Sequence, residues 1–263
     1  MSAQSRGGNM EQPDVDHLYY QGPHYDRRYS TMTEDIPFWI RRAKEYGDPI
    51  LELAIGTGRV AIPLAREGFN VTGVDISDSM MSLGKDKAVQ EGVEIEWVKK
   101  DIRDFHLGKK FKLAIFPLNT ICHFLRSDEL KAFLSCVREH LLPEGRFIVD
   151  TFVPNPERLA RDPKERFYNS EYEDPKGKGI IKVYESNEYD PALQINRVKF
   201  YYQLPGEPEE IVENLPMRMF FPQELDALLE CNGFDIEAKY GDYDDASFGS
   251  RSPKQMVVCR LRE

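Results

Sequence analysis

The amino-acid sequence predicts an α/β fold built on a mostly parallel sheet, with an antiparallel β insertion. Apolar strand-like segments alternate with amphipathic helix-like segments from 47 to 153, and the same pattern resumes from 217 to 263. Strands that alternate with helices at this spacing indicate βαβ units around a buried sheet. Between 154 and 216 apolar and polar residues alternate, which is typical of antiparallel strands buried on one face.

The core segments follow one another in a regular order. Predicted strands of the parallel part are 50–53, 70–74, 95–98, 113–116 and 146–152, and predicted helices are 60–67, 77–90 and 128–142. Glycine or proline follows each of these helices, as expected at a helix end. A helix from Pro222 to the residues before Gly233 and two strands, 234–240 and 254–261, complete the core. The sequence therefore predicts an N-terminal segment (1–46), a core (47–153 with 217–263) and an insertion (154–216).

Composition and charge exclude several classes of protein. A net charge of −10 over 263 residues argues against a general nucleic-acid binder, which needs a basic face. No apolar run is long enough to predict a membrane span, and the polar first sixteen residues lack the apolar core of a secretory signal. Four cysteines without CxxC spacing are typical of reduced thiols in a cytoplasmic protein.

The negative charge is concentrated in one stretch. Twelve acidic and two basic residues lie between 200 and 245, so this stretch carries the whole excess of ten. Most of it is expected to be a solvated face. Asp242, Asp244 and Asp245 are the candidates to reach the substrate end of the sheet, where they would favour a cationic or amine substrate over a carboxylate. They belong to the phrase YGDYDDASF, to which the sequence assigns no other role.

A glycine turn follows the first predicted strand and opens the first core helix. Gly56 and Gly58 allow a tight turn and a close approach of the backbone to a ligand, and the start of the helix offers unpaired N–H donors. Asp75 ends the second strand, where a carboxylate can accept both hydrogen bonds of a ribose diol. This arrangement predicts a nucleoside-binding βαβ unit.

Two kinds of ligand fit this turn. Residues 56–61 match the dinucleotide pattern G-x-G-x-x-G/A, whose loop receives a pyrophosphate. Glu52 points toward the same crevice, and its carboxylate suits an ammonium group and would repel a pyrophosphate. Asp101 follows the third strand and is a candidate acceptor for an adenine amino group, while Ile102 and Met80 would sandwich the base. Three acids at successive strand ends favour a nucleoside ligand that carries an ammonium group.

Several segments together resemble the class I S-adenosylmethionine-dependent methyltransferases. ELAIGTGR, VDIS, KDIRDF and FKLAIFPLNTICHF resemble the first four motifs of that family, and EHLLPEGRFIVDTF resembles its fifth helix end, turn and fifth strand. Ala54 stands where glycine is commoner. The resemblance, over 47–153 and 217–263, implies a Rossmann-like fold whose seven-stranded, mostly parallel sheet has helices on both faces. It also implies S-adenosyl-L-methionine as cofactor and S-adenosyl-L-homocysteine as product.

The resemblance further implies a reaction and a set of binding residues. A methyl group would pass by direct displacement to a nitrogen or oxygen of a small molecule. Glu52 would face the amino end of the methionine moiety and Asp75 the ribose, and Arg59 would reach the methionine carboxylate or lie on the surface. The expected cofactor-binding residues are Glu52, Ala54, Gly56, Gly58, Arg59, Asp75, Ile76, Met80, Asp101, Ile102, Pro117 and Tyr25.

The acceptor is expected beyond the fourth strand, where Asn119 and His123 are candidates to project into the cleft. His123 is a candidate base because histidine titrates near neutrality, and a half-buried histidine bonded to the backbone is an equal alternative. The tyrosine-rich stretch after residue 17 resembles a lid, so Tyr20, Tyr25 and Tyr29 are candidates beside the reacting methyl group. Segment 1–46 would then be tail and lid, and insertion 154–216 would cover the substrate.

Two other functions stay open on the sequence. An NAD-dependent oxidoreductase shares the glycine turn but leaves Glu52 and Asp101 without a role. A non-catalytic, cofactor-binding scaffold on the same fold is the second alternative, because methyl transfer can proceed without a catalytic side chain. The five histidines and four cysteines lack ligand spacing, so no metal is expected. The expected partner is a small molecule, with neither nucleic acid nor membrane, and the expected state is a monomer or homodimer.

Overall fold

The structure, a computed structural model, describes residues 17–29 and 31–262, with the side chain of Tyr20 left out. Its first sheet contains β1 (Ile50–Leu53), β2 (Val71–Asp75), β3 (Glu96–Lys99), β4 (Phe111–Phe116), β5 (Leu141–Phe152), β10 (Phe234–Tyr240) and β11 (Lys254–Leu261). Its second sheet contains β6 (Phe167–Glu173), β7 (Ile180–Asp190), β8 (Ile195–Gln203) and β9 (Ile211–Arg218). The first sheet belongs to the core and the second to the insertion.

The strand order of the first sheet is β10-β11-β5-β4-β1-β2-β3. From β5 to β3 neighbouring strands pair in parallel, and β11 runs antiparallel to both β5 and β10. The second sheet is antiparallel throughout, in the order β6-β7-β8-β9. The predicted fold class, a seven-stranded mostly parallel sheet with an antiparallel β insertion, is confirmed.

Helices connect the strands and lie on both faces of the first sheet. They are α1 (Gly22–Tyr29), α2 (Ile36–Tyr46), α3 (Ala61–Arg66), α4 (Asp78–Gln90), α5 (Ser127–His140), α6 (Pro156–Leu159) and α7 (Pro222–Cys231), with 3-10 turns at Leu18–Tyr20 and Thr120–His123. Side chains of a strand alternate between its two faces. Ile50 accordingly packs against α2 and α3, whereas Leu51 and Leu53 pack on the side of α5 and α7.

Prolines explain two local features of the structure, the first of which differs from the prediction. The helix predicted to end at 142 ends at His140, and Leu141 already pairs with Phe111 as part of β5. A proline disfavours helical torsions at the residue before it, which explains why Leu142, before Pro143, is extended. The Gly-Pro-interrupted tyrosine stretch forms helix α1, because its Pro23 lies in the first turn, where a missing N–H costs nothing.

The inner face of the second sheet packs against the N-terminal segment. Leu18 joins a buried cluster that includes Ile181, Val198 and Tyr202, and the carboxylate of Glu213 accepts a hydrogen bond of 2.5 Å from the backbone N–H of Leu18. The segment before α1 is therefore bound to the insertion by apolar contacts and by a charged hydrogen bond. In the described residues no helix is both long and apolar enough to cross a bilayer.

Gly73 tests the packing that fixes the first sheet. A Cβ at this position of β2 would lie 2.7 Å from the Cβ of Ile55, so the loop after β1 would have to shift. We expect Gly73→Ala to lower the free energy of unfolding by about 1–3 kcal/mol. Gly249→Ala is the matched control, because its added Cβ would meet nothing within 4 Å. Urea denaturation of both variants measures the effect, and equal stabilities would contradict this account.

Candidate functional site

A cleft opens where β1, β2 and β4 end at their carboxyl edges. Its volume is about 1200 Å³, the open mouth included. The loops after these strands and the N-terminal segment line it, with Tyr19, Tyr25, Glu52, Ala54, Ile55, Gly56, Thr57, Arg59, Val60, Asp75, Ile76, Ser77, Met80, Asp101, Ile102, Arg103, Pro117, Leu118, Thr120, His123 and Phe124. Ligands of doubly wound sheets bind at this edge, so the cleft is the candidate active site.

Asp75 ties the two loops at the centre of the cleft together. One carboxylate oxygen accepts a hydrogen bond of 2.8 Å from the backbone N–H of Gly56, and the other accepts one of 2.8 Å from Ser77. Burial raises the pKa of Asp75, and these backbone donors oppose that effect. Each carboxylate oxygen has a second lone pair, so Asp75 can still accept hydrogen bonds from a diol.

Ala54 and the two glycines give the loop its shape. Ala54, Gly56 and Gly58 have φ angles of 55°, 56° and 75°, in the left-handed region. Gly56 lines the cleft, but Gly58 does not: a Cβ there would lie 2.9 Å from the ring of Trp97. Gly58 therefore allows the loop to pack closely on β3, and its expected ligand contact stays a prediction.

Glu52 places in the cleft a buried carboxylate whose hydrogen-bonding capacity is only partly used. Its side chain is 2% exposed, and its Oε2 atom accepts no hydrogen bond from the described residues. Burial raises the pKa of Glu52 to about 8, although the Arg59 guanidinium acts in the opposite direction. A buried acceptor of this kind favours a cationic donor, such as an ammonium group.

Arg59 is bound mainly by Asp35. Its two Nη atoms donate to the two carboxylate oxygens of Asp35 at 2.6 and 2.7 Å, and Nη1 also donates to the carbonyl of Met32 at 3.0 Å. The sequence left a surface position open for Arg59, but its side chain is only 16% exposed and lines the cleft. These bonds use three of the five N–H groups that a guanidinium offers, so Arg59 can also bind a ligand carboxylate.

Asp101 lines the far end of the cleft with Arg103. Both oxygens of Asp101 accept hydrogen bonds from the Arg103 guanidinium, at 2.6 to 3.0 Å, and Arg103 also binds Glu129 at 2.9 Å. Burial alone would raise the pKa of Asp101, but its bonds to Arg103 lower it below the usual range. Any amino group that binds here shares Asp101 with Arg103, a partner that sequence reasoning did not foresee.

His123, Tyr19 and Tyr25 form the other end of the cleft, and Tyr29 packs behind Tyr25. Burial lowers the pKa of His123 to about 4, well below the near-neutral value of an ordinary histidine. The ring of Tyr19 lies 6.0 Å from that of His123, measured between centroids, and 6.3 Å from that of Tyr25. Tyr25 packs on Tyr29 at 4.7 Å. An aromatic and electrically neutral wall therefore closes this end of the cleft.

Three comparisons with known proteins agree on the class of protein. A family profile for the methyltransferase domain matches residues 50–145. The putative methyltransferase YqeM of Bacillus subtilis is 25% identical over 245 residues, which is 90% of this chain and 95% of YqeM. An S-adenosylmethionine-dependent methyltransferase from Clostridium acetobutylicum has a similar structure, with a TM-score of 0.73, 20% identity, and 94% and 97% of the two chains covered.

Residues 50–145 thus form a methyltransferase domain, and the chain as a whole is similar to S-adenosylmethionine-dependent methyltransferases. A relative of known substrate, the dTDP-3-amino-3,4,6-trideoxy-alpha-D-glucopyranose N,N-dimethyltransferase of Streptomyces venezuelae, is 26% identical over 145 residues. The match covers 54% of this chain and 57% of that enzyme, so the chain spans little more than half of this relative. Neither the family profile nor these relatives point to an oxidoreductase.

The cleft of this methyltransferase fits S-adenosylmethionine. The unpartnered oxygen of Glu52 suits its ammonium group, Arg59 its carboxylate and Asp75 its ribose diol. Of the twelve residues expected from the sequence, all except Gly58 line the cleft. When bound, S-adenosylmethionine supplies a methyl group on a sulfonium, and the protein's part is to align the acceptor and exclude water.

Of the residues expected to bind the acceptor, only some line the cleft. His123 lines the cleft, whereas Asn119 and Tyr29 do not, and the side chain of Tyr20 lies outside the described residues. Sequence reasoning missed Tyr19 and Thr120, because the register of a short 3-10 turn leaves no periodic signal.

The acidic loop also lies away from the cleft. Asp245 pairs with Arg41 at 2.6 Å, while Asp242 and Asp244 accept hydrogen bonds from nearby backbone N–H groups. None of the three lines the cleft, so they give no support to a cationic substrate. No cluster of metal-ligating side chains occurs in the part of the chain that the structure describes.

Asp75 should govern the affinity for the cofactor product. Asp75→Ala removes the acceptor for a ribose diol and frees the Gly56 and Ser77 N–H groups, so we expect the dissociation constant of S-adenosylhomocysteine to rise about tenfold. Asp78→Ala is the matched control, since Asp78 is exposed and pairs with Lys99 on the surface. Isothermal titration calorimetry measures both, and equal affinities would refute the ribose assignment.

Glu52 should make cofactor binding depend on pH. Since its pKa is about 8, the carboxyl is mostly protonated at pH 7, and an incoming ammonium group favours the ionised form. S-adenosylhomocysteine should therefore bind more tightly as the pH rises from 6.5 to 8, with release of a proton. Titrations at pH 7 in two buffers of different ionisation enthalpy measure that proton. Glu52→Gln should abolish its release; an unchanged proton count in this variant would exclude Glu52 as the source.

Proposed function

We propose that this methyltransferase transfers its methyl group to an amino nitrogen of a small molecule that binds as the free amine. The observation that carries the proposal is the acceptor end of the cleft, where Tyr19, Tyr25, Thr120, His123 and Phe124 form the wall. None of these five side chains is charged at neutral pH, because burial keeps the pKa of His123 at about 4. A neutral wall favours a neutral acceptor over an ion.

The low basicity of His123 supports nitrogen over oxygen. A phenol, with a pKa of about 10, must lose its proton before or during attack, and an imidazole of pKa about 4 is a poor base for that step. A free amine attacks through its own lone pair and needs no prior deprotonation. His123 then acts by accepting a hydrogen bond from the amine N–H and so aligning the lone pair. The relatives include N,N-dimethyltransferases of amino sugars, which agree with this preference, and also ubiquinone biosynthesis O-methyltransferases, so the preference rests on the cleft.

Helix α1 is suited to cover this acceptor. Its Asp26 accepts a hydrogen bond of 2.5 Å from Thr57 of the glycine loop and pairs with Lys87 of α4 at 2.7 Å. On its other side, Arg28 donates to the hydroxyl of Tyr202 in β8 at 3.1 Å. These contacts support a division of labour in which 1–46 ends in a lid, 154–216 covers the acceptor, and 47–153 with 217–263 binds the cofactor.

The setting of the enzyme follows from composition. We infer that it acts in the cytoplasm, as a monomer or homodimer, without a nucleic-acid partner. A net charge of −10 and four cysteines that form no disulfide support this inference.

Paired acceptors test the proposed chemistry. The enzyme is incubated with S-adenosylmethionine carrying a trideuterated methyl group and with sugars that differ only in an amino or a hydroxyl group at one carbon. Mass spectrometry should detect methyl transfer to the amines alone, and the rate should rise with pH through the pKa of each amine. Transfer to the hydroxyl partners, or a rate that follows one enzyme group for all amines, would refute the proposal.

A histidine variant separates alignment from base catalysis. We expect His123→Asn to lower kcat less than about tenfold, because a neutral amide can still accept a hydrogen bond from the amine. A general base would contribute about 10²- to 10⁴-fold, so a loss of that size would assign proton abstraction to His123. His106→Asn is the matched control, since His106 is exposed and lies outside the cleft.

A further inference from the structure

Two strained residues join β4 to the turn that carries His123. Leu118 and Asn119 have φ angles of 58° and 60°, in the left-handed region that residues with a side chain rarely adopt. Such a strained conformation persists only where the surrounding structure holds it. The 3-10 turn Thr120–His123 follows directly, so the directions of Thr120 and His123 depend on this pair.

The end of β5 holds the strained pair. The Asp150 carboxylate accepts a hydrogen bond of 3.1 Å from the N–H of Leu118, and the Asp150 carbonyl accepts one of 3.0 Å from Asn119. The side-chain oxygen of Asn119 accepts the N–H of Phe152 at 2.7 Å. The side chain of Asn119, which the sequence assigned to the acceptor, is thus bonded to β5.

The carboxylate of Asp150 is buried at a high cost. It is 0% exposed, its Oδ1 atom has no hydrogen-bond partner in the described residues, and the ammonium of Lys254 lies 3.8 Å away. Burial raises its pKa, against the effects of Lys254 and Tyr243. The hydroxyl of Tyr243 donates to Oδ2 at 2.7 Å, the same oxygen that binds Leu118.

The loop between β10 and β11 supplies Tyr243 and is itself anchored. Asp245 accepts a hydrogen bond of 2.6 Å from Arg41 of α2, and Arg41 also donates to the carbonyl of Tyr243 at 2.6 Å. The acidic phrase YGDYDDASF therefore brings one phenol to Asp150 and fixes it there. No contact with the cleft is needed for that role.

We propose that Asp150 and Tyr243 are positioning residues for methyl transfer. Neither lines the cleft; together they hold Leu118 and Asn119 in the left-handed turn that directs Thr120 and His123 toward the acceptor. The kinetic part of this inference rests on the proposed function, whereas its structural part concerns only His123 and can be measured without an acceptor.

Tyr243→Phe is the first test, because it removes one hydroxyl and keeps the ring. NMR titration of protein labelled with ¹⁵N-histidine follows the imidazole of His123. We expect its pKa to rise from about 4 toward the ordinary value as the turn loosens and water reaches the ring. Tyr240→Phe is the matched control, since the hydroxyl of Tyr240 binds Arg42 at 2.6 Å and touches no part of the turn. Equal His123 titrations in the two variants would overturn the proposal.

Affinity and rate provide the second test. The affinity for S-adenosylhomocysteine should stay within about twofold of the parent in Tyr243→Phe, while kcat for an amine acceptor should fall about 10- to 100-fold, as expected for a misplaced reacting group. A fall in cofactor affinity equal to the fall in kcat would indicate a general loss of structure and overturn the positioning role.

Asp150→Ala completes a double-mutant cycle, because it removes the oxygen that accepts from both Leu118 and Tyr243. Since both side chains act through that oxygen, adding Tyr243→Phe to Asp150→Ala should change the His123 titration no further. Additive effects would show that the two residues act separately and would overturn the shared role. If no amine is methylated, the proposed function fails, and the NMR titrations still decide whether Asp150 and Tyr243 hold the turn.

Discussion

The carboxylate of Asp75 is the contact on which the cleft depends. Parallel strands end at one edge of a sheet, and the loops that follow would diverge there unless something joined them. Asp75 accepts backbone N–H groups from Gly56, after β1, and from Ser77, after β2. Because both donors lie in the loops themselves, one buried side chain sets their separation, and the residues on either side of it become the walls of a single pocket.

A shortage of positive charge around Glu52 then selects the ligand. Arg59 is the nearest cation, but both of its Nη atoms are bonded to Asp35. The positive charge of Arg59 is therefore largely neutralised by Asp35 and cannot fully compensate the carboxylate of Glu52. Burial consequently favours the neutral form of Glu52 until a cation enters. The ammonium group of a nucleoside ligand would supply the missing positive charge beside Glu52, whereas a dinucleotide pyrophosphate would add negative charge there. The same reasoning, made from the sequence, favoured S-adenosylmethionine over NAD.

The sequence predicted what local patterns can encode. The order of strands and helices follows from hydrophobic periodicity, and the cofactor-side residues follow from the glycine turn and the strand-end acids. Gly58 lies outside the cleft lining, against Trp97 of another strand, and the sequence around the glycine turn does not indicate that neighbour. The pairing of Tyr243 with Asp150 joins residues 93 positions apart, and that of Leu18 with Glu213 spans 195. Such contacts depend on the completed fold, so no pattern within a segment could have indicated them.

In the proposed enzyme, the need to exclude water explains why α1 contacts both the glycine loop of the core and the insertion. A sulfonium methyl group is already activated, so water is the main competitor of the acceptor for that group. Asp26 fastens α1 to the glycine loop and Arg28 fastens it to the insertion. A movement of α1 that exposes the cleft must therefore break contacts on both sides, and the ring of Tyr25, which lines the cleft, moves with it. If α1 is the proposed lid, the helix that shields the donor also sets the condition for access by the acceptor.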